Sequence, residues 1–353
     1  MDHADKSSFL HITGMTRRAF RILHNIIFPT NTGQLSTQRQ RGRPTLLPTD
    51  GMLGLLLFYL GSTMTTKYLC LLFGITPSCC SRILKKMLIL VAKKLRHHPR
   101  ARVTFPNDEK MKQFAAMINH REPLVDDIIG YMDGVSLSSE CTSERIAQNA
   151  MYCGYDCDTM VNNILAYGPD GKVFFCAINF PGSWADGSVI ARFLPYILER
   201  IGSYKIVVDQ GFPRSGAAQN VLVGPLSKRA ARRLHPTICD YLLRISNIYT
   251  SLSQASEWGM RGLQGTFPRC KKRLPSDAAK RRLVLENIVL IHNFRTGMVG
   301  YNQIRTVFDI EYERIRSLDG YNRIRQYYFW LGDYHTSEDD DKNDGSDSDD
   351  DSD

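Results

Sequence analysis

The sequence predicts an α/β fold: a mixed sheet flanked by helices, preceded by a small all-helical region. Three observations predict it. Apolar residues and capping residues mark short helices up to about residue 100. From Asp127 the pattern changes to runs rich in Val, Ile, Phe and Tyr, two of them joined by the Gly-Pro-Asp-Gly turn at 168–171. Beyond Pro236 the helical pattern returns in two long segments.

Residues 15–28 are expected to form a short helix, with Phe20, Leu23, Ile26 and Ile27 at helical spacing. A polar linker runs on to Pro48 and carries Arg41-Gly42-Arg43-Pro44. That string is the core of a minor-groove AT-hook, and it also suits a solvated basic linker. Thr49 or Asp50 should cap a helix that ends at Leu60 with Gly61. Thr65 to Phe73 is a second helix closed by Gly74, and Thr76-Pro77-Ser78 opens a third that reaches about Leu95. Residues 49–100 thus read as a helix-turn-helix-like region. Ser78, Ser81, Arg82 and Lys85 face outward, and Arg82 and Lys85 are candidate DNA contacts. An ordinary three-helix packing unit shares this pattern.

The first strand is expected over Ile128–Leu137. Thr159–Tyr167 and Lys172–Phe180 should pair as a hairpin. A helix follows over Asp186–Ile201. Tyr204–Asp209 then has the continuous apolar character of a buried parallel strand, and Asn220–Val223 suits a fifth. Helices over 236–265 and 276–298 complete the pattern. Strand, hairpin, helix, strand, strand, helix is the order of an RNase H-like domain, here over 127–310. Residues 1–48 hold the N-terminal helix and basic linker, 311–336 a C-terminal extension, and 337–353 an acidic tail with a disordered composition.

The 353 residues carry a net charge of +9, and the tail hides part of the positive charge. Ten acids against Lys342 give residues 337–353 a charge of −9, which leaves +18 on the rest. A body that basic points to a polyanion, and DNA is the expected partner. The nine cysteines are odd in number and include the adjacent Cys79 and Cys80. Cys153 and Cys157 have a weak zinc spacing, and buried free thiols are the better account. The polar start and the shortness of the apolar stretch Met52–Leu60 predict no secretory signal and no membrane span. A reducing compartment, nucleus or cytosol, is expected.

Cutting a phosphodiester requires charge stabilised on the attacking and the leaving oxygen. Two hard cations held by carboxylates on separate rigid elements do this. Three acids sit where such chemistry needs them: Asp133 in the first strand, Asp209 at the end of the Tyr204–Asp209 strand, and Glu257 within the 236–265 helix. An acid at the end of an apolar strand is costly to desolvate unless it is paired or bound to metal. Spacing alone also allows helix caps or ion pairs, and Arg261 stands one turn from Glu257.

These segments resemble the DDE endonuclease domain of PIF/Harbinger transposases. The matching motifs are Asp133-Gly134, Pro181-Gly182-Ser183 with Asp186, Val208-Asp209-Gln210-Gly211-Phe212-Pro213, and Glu257 through Leu263 to Phe267. Arg295-Thr296 and Gly300 to Ile304 agree with the family's end. The sequence departs from the family at Gln210 and Phe212, at Ala185 where many relatives have His, and in the acidic segment 153–158. The resemblance implies a metal-dependent endonuclease or transposase with Asp133, Asp209 and Glu257 as catalytic, metal-holding residues. Two Mg²⁺ or Mn²⁺ ions would be bound, with Asp133 shared between them. Asp186 is an accessory candidate, although its position suits a helix cap. Lys228, Arg229, Arg232, Arg233, Lys271, Lys272 and Arg273 flank the Glu257 helix and suit phosphate contacts.

The resemblance also implies a nuclear protein that works with a separate Myb-like DNA-binding protein; a homo-oligomer stays open. The alternative is a domesticated, non-catalytic DNA- or chromatin-binding protein on the same fold. In the endonuclease reading, Asp133 and Asp209 lie on adjacent parallel strands, Glu257 projects across their end, and Arg261 points elsewhere or only grazes the cluster. At least one of the acids then has a raised pKa.

Overall fold

The computed structural model describes residues 6–29, 46–233, 235–300 and 302–309. Arg41, Arg43, the 311–336 extension and the acidic tail lie outside the described residues, as does the side chain of Lys228.

The N-terminal region holds α1 (Lys6–Thr13), α2 (Arg17–Ile27), α3 (Thr49–Leu60), α4 (Thr66–Phe73) and α5 (Pro77–Leu95). α1 carries no clear sequence signal, and the helix expected over 15–28 begins after its cap, Thr16, whose side chain accepts from the Ala19 amide. α3 is buried nearly all round, from Met52 to Leu60, so it sits at the centre of this region. Its N-cap is Pro48, not Thr49 or Asp50, and no side chain caps it. Thr76 caps α5 by accepting from the Cys79 amide, and Pro77 occupies the first turn, where its missing N–H costs nothing. Ser78, Ser81, Arg82 and Lys85 are exposed along α5.

α6 (Asp108–Arg121), a helix absent from the sequence expectation, leads into the sheet. Then come β1 (Ile128–Ser138), α7 (Arg145–Met151), β2 (Tyr152–Cys153), β3 (Asp158–Tyr167) and β4 (Val173–Pro181). α8 (Asp186–Ala191), α9 (Leu194–Ile201), β5 (Lys205–Val208) and β6 (Leu222–Val223) follow. The single helix expected over Asp186–Ile201 is two, because the chain bends at Arg192–Phe193 and restarts with Pro195 in the first turn of α9. α10 (Lys228–Ala231), α11 (Pro236–Thr266), α12 (Ala278–Val299) and α13 (Gln303–Phe308) complete the described chain.

The sheet order is β2-β3-β1-β5-β6, with β4 also paired to β3. β1 is antiparallel to β3 and parallel to β5, and β5 is parallel to β6. An antiparallel hairpin beside a parallel pair is the RNase H-like arrangement. The faces alternate: Tyr131 and Val207 enter the core shared with α5, α11 and α12, whereas Met132, Ile206 and Val208 enter the core under α8 and α9.

The helical region shares the first of these cores. Asn287 on α12 donates to the Leu88 carbonyl on α5 at 2.9 Å, and Arg96 forks onto Glu286 at 2.7 and 3.0 Å. Among the described residues, no helix is long and apolar enough to cross a membrane. All nine cysteines are free, and Cys70, Cys79, Cys80 and Cys270 are buried.

Candidate active site

Strand register sets the first two acids side by side. Met132 pairs with Val208 in the parallel β1–β5 ladder, and Asp133 and Asp209 are the next residues of the two chains. By alternation both lie on the face of Tyr131 and Val207, the face that α11 covers. Asp133 is half-buried and Asp209 exposed.

The Gly134 amide donates to the Asp133 carboxylate at 2.8 Å, the nearest compensation for its burial. Burial nevertheless pushes the Asp133 carboxyl up to about 6, with the charges of Asp209, Asp186 and Glu257 adding to the effect. Among the described residues no cation pairs with Asp133, Asp209 or Asp186.

Glu257 lies on α11, close enough for its charge to act on Asp133. Arg261, expected to point elsewhere or only graze the cluster, reaches back one helical turn and binds Glu257 at 3.2 Å. Both side chains are exposed, so this is the ordinary pairing of residues four apart on a helix. Among the described residues, no three His, Cys, Asp or Glu side chains gather closely enough to hold a metal ion together.

Asp186 is not a cap. Ala185 occupies the N-cap position of α8, and no side chain caps the helix. Instead the Asp186 carboxylate accepts from the Asn162 side-chain amide at 2.9 Å and lies against the backbone of Gly134. A Cβ at Gly134 would collide with it, which gives the Asp-Gly pair a structural reason. Burial raises the Asp186 carboxyl, the Asn162 bond opposes this, and Asp209 adds to the rise. Asn162 also donates to the Trp184 carbonyl at 2.8 Å, fixing the turn before α8. Asn162 was missed from the sequence, although two adjacent asparagines inside the otherwise largely apolar β3 were a signal.

The basic candidates lie on several elements, with Arg82 and Lys85 on α5. Arg229, Arg232 and Arg233 are exposed around α10, before the start of α11. Lys271 and Lys272 are exposed beyond the end of α11, whereas Arg273 pairs with Asp158 at 2.9 Å.

Residues 132–293 match the family described as DDE superfamily endonuclease. This segment is similar to a DDE superfamily endonuclease domain. The match begins beside Asp133 and takes in Asp209 and Glu257. Two solved structures are also similar. One is a Mos1 transposase paired-end complex with left transposon end, at 9% identity and a TM-score of 0.19, covering 68% of this chain and 83% of that one. The other is a pre-cleavage Mos1 transpososome, at 13% identity and a TM-score of 0.18, covering 76% of this chain and 82% of that one. No curated protein matches the chain. The sheet order and the family match, not these distant alignments, carry the likeness to a DDE domain.

Proposed function

We propose that the DDE domain cuts DNA phosphodiesters with divalent metal ions, as a Harbinger-type transposase, with Asp133, Asp209 and Glu257 holding the metal. The observation that carries this reading is the pairing of Met132 with Val208, which delivers two unpaired aspartates to one end of the sheet. The donor set fits Mg²⁺ or Mn²⁺, because it consists of hard carboxylate oxygens that repel one another without a cation. Bound divalent ions would supply charge at the attacking and leaving oxygens and lower the pKa of a water.

The chain's own residues do the rest. Asp133, at the centre, would serve both ions, while Asp209 and Glu257 would each complete one pair of carboxylates. No set of three acids around a single ion is then required. Glu257 must exchange Arg261 for metal, at a cost of about 0–1 kcal/mol for an exposed pair. Asp186, held by Asn162, would keep the Gly134 backbone and hence the Asp133 main chain in place. Arg82, Lys85, Arg229, Arg232, Arg233, Lys271 and Lys272 would bind DNA phosphates. The same proposal places the protein in the nucleus, with a Myb-like DNA-binding partner. Nicking of supercoiled DNA that needs Mg²⁺ or Mn²⁺ and is lost in Asp133→Ala tests it.

One observation favours a second reading, a non-catalytic DNA- or chromatin-binding protein on this fold. Glu257 is already paired with Arg261, and among the described residues no three acids gather closely enough to hold a metal ion together. DNA binding without metal-dependent nicking would select that reading.

A further inference from the structure

α11 packs against β1, β3 and β5, and near its C-terminal end it carries Gly259, Gly262 and Gly265. Glycine is disfavoured inside a helix relative to alanine, so each of these positions asks for a reason. A Cβ at Gly262 or Gly265 would meet nothing within 4 Å. Gly259 differs. It is buried, and a Cβ there would stand 2.8 to 2.9 Å from three carbons of the Tyr167 ring. Carbon atoms pack at about 3.5–4.0 Å, so alanine at 259 would need a retreat of roughly 1 Å.

Tyr167 cannot supply that retreat. It is fully buried on β3, its hydroxyl donates to the Met260 Sδ at 3.6 Å, and its ring stands edge-on to His292 of α12, with centroids 6.1 Å apart. The helix must move instead. Tyr167 is also close to the acids. It pairs with Tyr131 across the β1–β3 ladder, and Tyr131 is two residues before Asp133 on the same face. Glu257 is two residues before Gly259, about 3 Å along the axis of α11. The close contact therefore joins the sheet beside Asp133 to the helical turn that carries Glu257.

We propose that Gly259 is a positioning residue: by letting α11 rest on the Tyr167 ring, it sets the distance of Glu257 from Asp133 and Asp209. The proposal rests on the endonuclease reading and concerns how its third acid is held. Groups that share a metal site must be held to within about 0.5 Å, so a helix that retreats by roughly 1 Å takes Glu257 out of range.

The test is calorimetric binding of Mn²⁺ to the full chain without DNA, beside thermal unfolding of each variant. Gly259→Ala should weaken Mn²⁺ binding by about 10–100-fold, as loss of a residue that orients metal ligands does. Gly262→Ala, on the same helix, should bind Mn²⁺ as the parent does and unfold at a higher temperature, since alanine favours the helix. In a Tyr167→Leu background the ring carbons are gone, so adding Gly259→Ala should cost no further Mn²⁺ affinity. That comparison also decides the matter if Gly259→Ala alone fails to fold. Unchanged Mn²⁺ binding in a folded Gly259→Ala protein overturns the inference, as does an equal loss in Gly262→Ala or a further loss in the Tyr167→Leu background. Failure of the endonuclease reading looks different: the parent chain itself binds no Mn²⁺, and the inference falls with it.

Discussion

Met132 and Val208 face each other across a parallel strand pair, and the aspartate after each stands at the same end of the sheet. The candidate site follows from this one register. Shifting β5 by a single residue would turn Asp209 to the opposite face, under α8 and α9.

Stability without metal should depend on Asp133 and on pH. Its carboxyl is raised to about 6 in the folded protein, against about 3.9 for an unperturbed aspartate, so folding disfavours the ionised form. The cost is absent below about pH 4, grows as pH rises toward 6, and is fully present above that. Asp133→Asn removes it. The variant should gain on the order of 2 kcal/mol over the parent at about pH 7.5, and nothing at about pH 3.5. Urea unfolding in EDTA at both pH values measures this; an equal difference at both would contradict it.

The Glu257–Arg261 pair should compete with metal. Arg261→Ala frees the carboxylate, so half-maximal nicking should need less Mn²⁺ than in the parent, with stability changed by under about 1 kcal/mol. Glu257→Gln should abolish nicking and leave DNA affinity in place. A higher Mn²⁺ requirement in Arg261→Ala would assign that arginine to DNA rather than to Glu257.

Asn162 should act through Asp186 and Gly134. Asn162→Ala removes the hydrogen bonds to Asp186 and to the Trp184 carbonyl. A drop of about 10–100-fold in nicking is expected, with a rightward shift in the Mn²⁺ titration, as for other residues that orient metal ligands. A slower rate with no shift in that titration would mark Asn162 as a fold residue only.

The acidic segment 337–353 should compete with DNA. Its −9 charge opposes +18 on the rest of the chain. Deleting it should tighten binding to an arbitrary duplex at low salt, and the gain should fade as salt screens the tail. Weaker binding after truncation would give the tail another role.

Much of this was legible in the residues. The Gly-Pro-Asp-Gly turn fixed the β3–β4 hairpin, and the apolar Ile-Val-Val run marked β5 as a buried parallel strand. Thr76-Pro77 located the start of α5 to the residue. α6 was missed although Asn107 caps it and acids fill its first turn, because its apolar stripe is narrow. The division of Asp186–Ile201 into two helices hid behind a continuous helical pattern, which Pro195 interrupts only locally. At the site, sequence placed the aspartates but not their surroundings. The role of Asp186 depends on Asn162, 24 positions away, and on the absence of a side chain at Gly134. The local signal for Asp186, an acid at a helix start, pointed to a cap instead. For Glu257 the local rule prevailed, since Arg261 sits at the spacing that favours an ion pair.

The most direct test of the central claim is nicking of supercoiled plasmid by the full chain in Mg²⁺, Mn²⁺ or EDTA, beside Asp133→Ala and Asp209→Ala. The account predicts nicking with either metal, none in EDTA, and none by either variant, while both variants still shift the plasmid in a binding assay. Nicking that persists in EDTA or in Asp133→Ala would contradict it, as would binding by the parent chain with no nicking in either metal.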